Sequence, residues 1–103
     1  MRHFIIDGML SGTGIRDAGE GGYVSPEELN ISVDVRLRLQ NWLAEYELDH
    51  YYGHSDEAKT AELDREGIKI ALVIQNELPD DIIGYYSDAK LRSMHKSDIV
   101  QES

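Results

Sequence analysis

The chain has no cysteine among its 103 residues. Disulfides and cysteine-ligated zinc or iron–sulfur sites are therefore excluded, and we expect a reducing, cytoplasmic location. A chain of this length buries roughly 65% of the surface that its unfolded form exposes, so one hydrophobic core can form without such cross-links. It is too short for two ordinary domains.

Long apolar runs and a basic excess are also missing. No apolar stretch approaches the roughly 20 residues that span a bilayer, and the apolar run within residues 1–10 is too short for a signal peptide. Twenty acidic residues stand against ten basic ones, which gives a formal charge of −10. Because nucleic acids and anionic membranes are bound through lysine and arginine, we expect neither as a partner. The charge favours a basic protein partner, although many acidic surfaces serve solubility alone.

Two segments have the composition of strands. A β-branched and aromatic run predicts a strand over residues 2–9, and residues 81–87 predict another one after the turn at Pro79. Five glycines between Ser11 and Tyr23 favour a loop, because glycine destabilises regular elements. Beyond Leu91 the chain becomes polar and loses its periodicity, which predicts a flexible tail over residues 92–103.

Two segments have the periodicity of long helices. Apolar residues at three- and four-residue steps predict a helix from Val33 to Tyr51, with Ser32 as its cap. Residues 55–57 supply a cap and an acidic first turn for a second helix, which ends before Pro79. Gly67 lies inside this helix as a kink, a close helix contact or a break.

The element order is therefore β-α-α-β, an α/β (α+β) fold in one domain over residues 1–91. A short link predicts that the two long helices are antiparallel and pack on a small sheet containing Ile5 and Ile83. Two strands alone are marginal. We therefore expect a third strand from residues 21–31, or strand pairing across a dimer.

The glycine-rich loop at residues 11–17 follows a strand, as phosphate-binding loops do. It lacks the Gly-Lys-Ser/Thr ending of a P-loop, and Asp17 stands where a dinucleotide fingerprint has its third glycine. A plain turn-forming loop is therefore favoured. The alternative is a small-ligand or enzyme site centred on Arg16 and Asp17, which otherwise form a local ion pair or contact a partner.

His50 and His54 have the four-residue spacing of zinc ligands on a helix. The glutamate of the zincin motif is absent, since Tyr51 takes its place, and Gly53 predicts a helix break between the histidines. A surface pair without a metal is favoured. No serine lies in a nucleophile-elbow motif, so the sequence predicts a protein that is not an enzyme and has no cofactor.

An acidic, tyrosine-rich cluster is the most informative feature. Eight acids and two bases between Glu45 and Glu66 leave a charge of −6 in that segment. Acids steer a basic partner, and tyrosines anchor it. The alternative is a solvated face, with Tyr46 and either Tyr51 or Tyr52 closing the core. The candidate partner-binding residues are Glu45, Glu47, Asp49, His50, Tyr51, Tyr52, Asp56 and Glu57.

The segments at residues 11–17, 22–24 and 83–89 together resemble a group of small bacterial proteins of unknown activity. In size and acidity the chain is similar to immunity proteins that are paired with secreted toxins, including those of contact-dependent growth inhibition. This resemblance implies a cytosolic inhibitor that blocks a basic toxin domain, such as a nuclease. The alternatives are the ligand site at Arg16 and a homo-oligomeric regulatory or structural domain.

Overall fold

The computed structural model describes residues 1–10 and 12–95. The chain forms two long helices and a four-stranded mixed sheet, so the predicted α+β class and the β-α-α-β order are confirmed, with one further strand beside each predicted strand. In chain order the elements are β1 (His3–Ile6), β2 (Ile15–Asp17), a 3-10 turn (Pro26–Glu28), α1 (Val33–Tyr51), α2 (Glu57–Glu77), β3 (Ile82–Ser87) and β4 (Arg92–Met94).

The strand order in the sheet is β2-β1-β3-β4. The central strands β1 and β3 are parallel, with Phe4 opposite Ile83, and both edge strands are antiparallel to their neighbours. A parallel pair needs a long crossover, and here the whole helical hairpin supplies it. Ile5 and Ile83 therefore lie in adjacent strands of one sheet, as predicted.

The origin of the edge strands differs from the prediction. They come from the glycine-rich segment (β2) and from the segment after Leu91 (β4), whereas a strand from residues 21–31 or from a partner copy was expected. Residues 21–31 contribute one isolated bridge, between Arg16 and Tyr23. The sheet reaches four strands within one chain, which removes the need for pairing across a dimer.

The predicted flexible tail was wrong for its first residues. Leu91 has φ +55 and turns the chain back, so that Arg92–Met94 pairs with β3 and the side chain of Met94 enters the core. A three-residue strand is too short to show a period of two, which is why composition predicted a tail. Residues 96–103 of that prediction lie outside the described residues.

The two helices form the predicted antiparallel hairpin. Ser32 at the start of α1 bonds Glu77 at the end of α2, and Asp49 near the end of α1 bonds Thr60 in the first turn of α2. Trp42 lies between the helices and donates its indole N–H to the Leu63 carbonyl at 2.8 Å. Both predicted helices are therefore confirmed, and Trp42 is a core residue.

Helix α2 runs through Gly67 without a break. A Cβ atom at this position would lie 2.3 Å from Cε1 of Tyr85 and 2.9 Å from Cζ2 of Trp42. The glycine therefore allows a close approach of α2 to Tyr85 and Trp42. Of the three alternatives of a kink, a close contact and a break, the structure shows the close contact. No helix in the described part of the chain is long and apolar enough to cross a bilayer.

Candidate functional site

The turn that joins the two helices carries an exposed surface, which we call the junction surface. Tyr51 and Tyr52 are its most prominent members, with 81% and 64% of their areas exposed. Their rings meet edge to face with centroids 5.4 Å apart. The junction surface consists of Glu45, Glu47, Leu48, His50, Tyr51, Tyr52, Asp56 and Glu57, which are exposed except for the half-buried Glu47.

Left-handed residues and backbone hydrogen bonds define the turn after α1. Gly53 and His54 have φ +69 and +53, two successive left-handed residues that reverse the chain after α1. The Gly53 N–H donates to the His50 carbonyl and the His54 N–H to the Asp49 carbonyl, both at 2.9 Å. These bonds satisfy carbonyls at the end of α1 and fix the direction in which the tyrosines project.

Asp49 lies under this turn and not on its surface. It is only 7% exposed, and its Oδ2 atom accepts the Thr60 hydroxyl at 2.7 Å and lies 2.6 Å from His54 Nδ1. The sequence placed Asp49 among exposed partner-binding residues, and that exposure was wrong. The carboxylate connects α1, the turn and α2. It therefore helps to hold the turn that carries the two tyrosines.

The histidine pair is divided between surface and interior. His50 is exposed, whereas His54 is partly buried beneath Tyr46, with ring centroids 5.7 Å apart. The two imidazoles are perpendicular, with centroids 5.3 Å apart, and Asp49 engages Nδ1 of His54. Over residues 1–10 and 12–95, no three histidine or carboxylate side chains converge as metal ligands.

The acidic cluster also divides into two groups. Asp49 and Asp64 are buried, and Glu66 forms a two-point ion pair with Arg38 at 2.7 and 3.0 Å. The Asp56 carboxylate caps α2 by accepting the Lys59 N–H. The acids that face solvent or are only half-buried near the turn are Glu45, Glu47, Asp56, Glu57 and Glu62.

A buried carboxylate under the sheet was missed by the sequence analysis. Asp64 is 1% exposed and accepts hydroxyl bonds from Tyr85 at 2.6 Å, Ser87 at 2.9 Å and Tyr46 at 3.1 Å. Burial raises the pKa of Tyr46 to about 12, and burial beside Asp64 also raises the pKa of Tyr85. Asp64 lies one turn before Ile68 on the apolar face of α2, and that periodicity was the available signal.

The candidate ligand site at Arg16 is organised around a second buried carboxylate. Asp7 directly follows β1 and is 1% exposed. Arg16 Nε donates to its Oδ2 at 3.0 Å, and the Tyr23 hydroxyl donates to its Oδ1 at 2.7 Å. Arg16 therefore neutralises a buried charge and Tyr23 provides it with a hydrogen bond, which are structural roles.

The predicted local pair between Arg16 and Asp17 does not form. Asp17 instead accepts the Arg2 guanidinium at 2.9 Å and the N–H groups of Gly19 and Glu20. The Glu20 N–H and Arg2, in that order, lower the pKa of Asp17. In a strand, neighbouring side chains point to opposite faces, which is why Arg16 and Asp17 separate.

No protein-family model matches the chain, and no curated protein sequence matches it significantly.

Proposed function

We propose that the protein binds a basic protein through the junction surface and inhibits it, in the manner of an immunity protein or antitoxin that blocks a toxin domain. The observation that carries this proposal is the exposure of Tyr51 and Tyr52 at the tip of the helical hairpin, 81% and 64%. Two adjacent exposed tyrosines add nothing to the core. They are suited to contacts with another molecule.

Tyrosine is enriched among the residues that dominate binding energy at protein interfaces. Each ring buries a large apolar area while its hydroxyl still finds a hydrogen-bond partner. The exposed side chain of Leu48, one helical turn before Tyr52, extends this apolar area. The junction surface therefore combines exposed apolar side chains with exposed carboxylates, as interfaces do.

The hydrogen bonds of the turn reduce the conformational entropy that is lost on binding. The hydrogen bonds of Asp49 and the backbone bonds after His50 hold the turn before any partner arrives. A preorganised surface loses less conformational freedom on association than a flexible loop does. Such a surface can bind tightly with a small contact area.

The charge of the junction surface selects the partner. Glu45 and Asp56 line the same cleft as Tyr52, Glu47 lies one helical turn before Tyr51, and the whole chain carries a formal charge of −10. A nuclease cleft is lined with basic residues because it binds phosphates. An acidic surface is steered toward such a cleft and occupies the place of the nucleic acid.

The test is affinity capture from the native host with three baits, followed by mass spectrometry. The baits are the wild type, the variant Tyr51→Ala/Tyr52→Ala, and the control variant Leu37→Ala/Leu91→Ala, which removes exposed apolar side chains elsewhere. We expect the wild type and the control to retain a basic protein that the tyrosine variant loses. We also expect stoichiometric addition of the wild type to block that protein's activity. Equal capture by all three baits, or undiminished activity, contradicts the proposal.

A further inference from the structure

A cleft lies beside Tyr52, between the last turns of α1 and the first turn of α2. Its volume is about 320 Å³. Leu48 and Tyr52 supply apolar walls, and both are more than half exposed. Glu45 and Asp56 supply carboxylates from the two helices. A cleft with apolar walls and two carboxylates is chemically matched to a long cationic side chain.

A cation of the chain itself already lies at this cleft. The Lys59 ammonium is 3.5 Å from Oε1 of Glu45, and the two side chains are 41% and 60% exposed. Exposed ion pairs of this kind contribute little to stability. A cation from a partner can therefore displace Lys59 from Glu45 at little cost to the stability of the fold.

We propose that the cleft receives an arginine side chain of the basic partner, with the guanidinium between Glu45 and Asp56 and its flat face on the ring of Tyr52. This inference rests on the proposed function and specifies the chemistry of the bound residue. Arginine suits the cleft better than lysine, because its planar group stacks on aromatic rings and forms parallel bonds to carboxylates. Its aliphatic stem covers Leu48, as long charged side chains do on apolar surfaces.

The probe is the peptide acetyl-Gly-Arg-Gly-amide, titrated into the isotope-labelled full chain by NMR. The matched probe contains citrulline, which has the shape of arginine and no charge. We expect saturable shifts of the Leu48, Tyr52 and Lys59 amides and of the Tyr52 ring with the arginine peptide alone. Equal shifts with citrulline, or shifts spread over the acidic surface without saturation, overturn the inference.

Two pairs of variants separate the cleft from the general charge of the chain. Glu45→Gln weakens binding of the arginine peptide about threefold, as expected for one exposed ion pair, whereas Glu28→Gln does not. Lys59→Gln removes the internal competitor and strengthens binding about threefold, whereas Lys69→Gln, with the same change in charge, does not. If each variant behaves like its control, binding depends on net charge and the cleft is not the site.

The inference and the proposed function fail in different ways. If the arginine peptide ignores the cleft while Tyr51→Ala/Tyr52→Ala still abolishes capture, the proposed function stands and the inference is wrong. If the cleft binds the peptide with the expected variants but capture is unaffected by the tyrosines, the inference about arginine chemistry stands alone. The two experiments therefore decide the two claims separately.

Discussion

The Asp49 carboxylate lies 2.6 Å from Nδ1 of His54, across the turn that carries Tyr51 and Tyr52. The same oxygen accepts the hydroxyl of Thr60 from α2. One buried carboxylate therefore connects the end of one helix, the reversal of the chain and the start of the next helix. The rigidity of the proposed binding surface depends on this contact.

Replacing Asp49 with alanine removes both contacts, although the Thr60 hydroxyl keeps the Asp56 carbonyl as an acceptor at 3.1 Å. We expect a loss of about 2 kcal/mol in the free energy of unfolding, as is usual when hydrogen bonds to a buried charged group are removed. Glu47→Ala, two residues earlier and half-exposed, is the control and should change stability by less than about 0.5 kcal/mol. Urea unfolding measures the free energy of unfolding of both variants. Equal losses for Asp49→Ala and Glu47→Ala would show that Asp49 does not hold the turn.

Gly67→Ala tests the close contact between α2 and the sheet. Alanine favours a helix over glycine by about 1 kcal/mol, so propensity alone predicts a stabilised protein. The added Cβ would lie 2.3 Å from Tyr85, and we expect a net destabilisation of about 1–3 kcal/mol from overpacking. Ala58→Gly, at an exposed position of the same helix, should cost about 1 kcal/mol. A more stable Gly67→Ala variant in thermal unfolding contradicts the packing.

The buried phenols make the protein sensitive to alkali. The pKa of Tyr46 is raised by burial from 10.0 to about 12, so the folded state holds this proton more tightly than the unfolded state does. The resulting stability is complete below pH 10 and is lost as the pH rises toward 12. We expect the unfolding free energy to fall over this interval, and Tyr46→Phe to reduce the fall. An unchanged pH profile in the variant would assign the alkaline sensitivity to other groups.

Arg16→Ala distinguishes a structural ion pair from a ligand site. Asp7 is 1% exposed and would lose its cationic partner, so we expect a loss of about 3 kcal/mol in stability. Arg2→Ala removes a cation whose side chain is 52% exposed, and its partner Asp17 keeps the N–H groups of Gly19 and Glu20, so the loss should be less than about 1 kcal/mol. Chemical unfolding of both variants checks the difference. An Arg16→Ala variant as stable as the wild type would contradict the structural role, and Arg16 would remain a candidate ligand-binding residue.

The helical hairpin was predictable because its signals are local. Ser32 does cap α1 and Asp56 does cap α2, and apolar residues recur at helical steps between them. The edge strands were not predictable, because three residues carry too little periodicity and their pairing is decided by the strands next to them. Their residues are Ile15–Asp17 and Arg92–Met94.

The sequence indicated where acids and tyrosines are concentrated, but not which of these side chains are buried. The concentration of acids and tyrosines located the junction surface, and Tyr51 and Tyr52 are exposed there. The burial of Asp49 was not visible, because it depends on His54 adopting a left-handed conformation that brings its ring back over α1. A count of the acidic residues in the sequence does not distinguish a buried carboxylate from an exposed one.

The most direct test of the account is the association rate of the captured basic partner at 0.05 M and 0.5 M salt. The test variant reverses Glu45, Glu47 and Glu57 to lysine, and the control reverses the exposed acids Glu20, Glu28 and Asp80, so that both change the charge equally. Because salt screens long-range attraction, we expect the wild type and the control to associate about tenfold or more faster at low salt, and the test variant to lose this gain. Equal association rates for the test variant and the control would contradict binding through the junction surface.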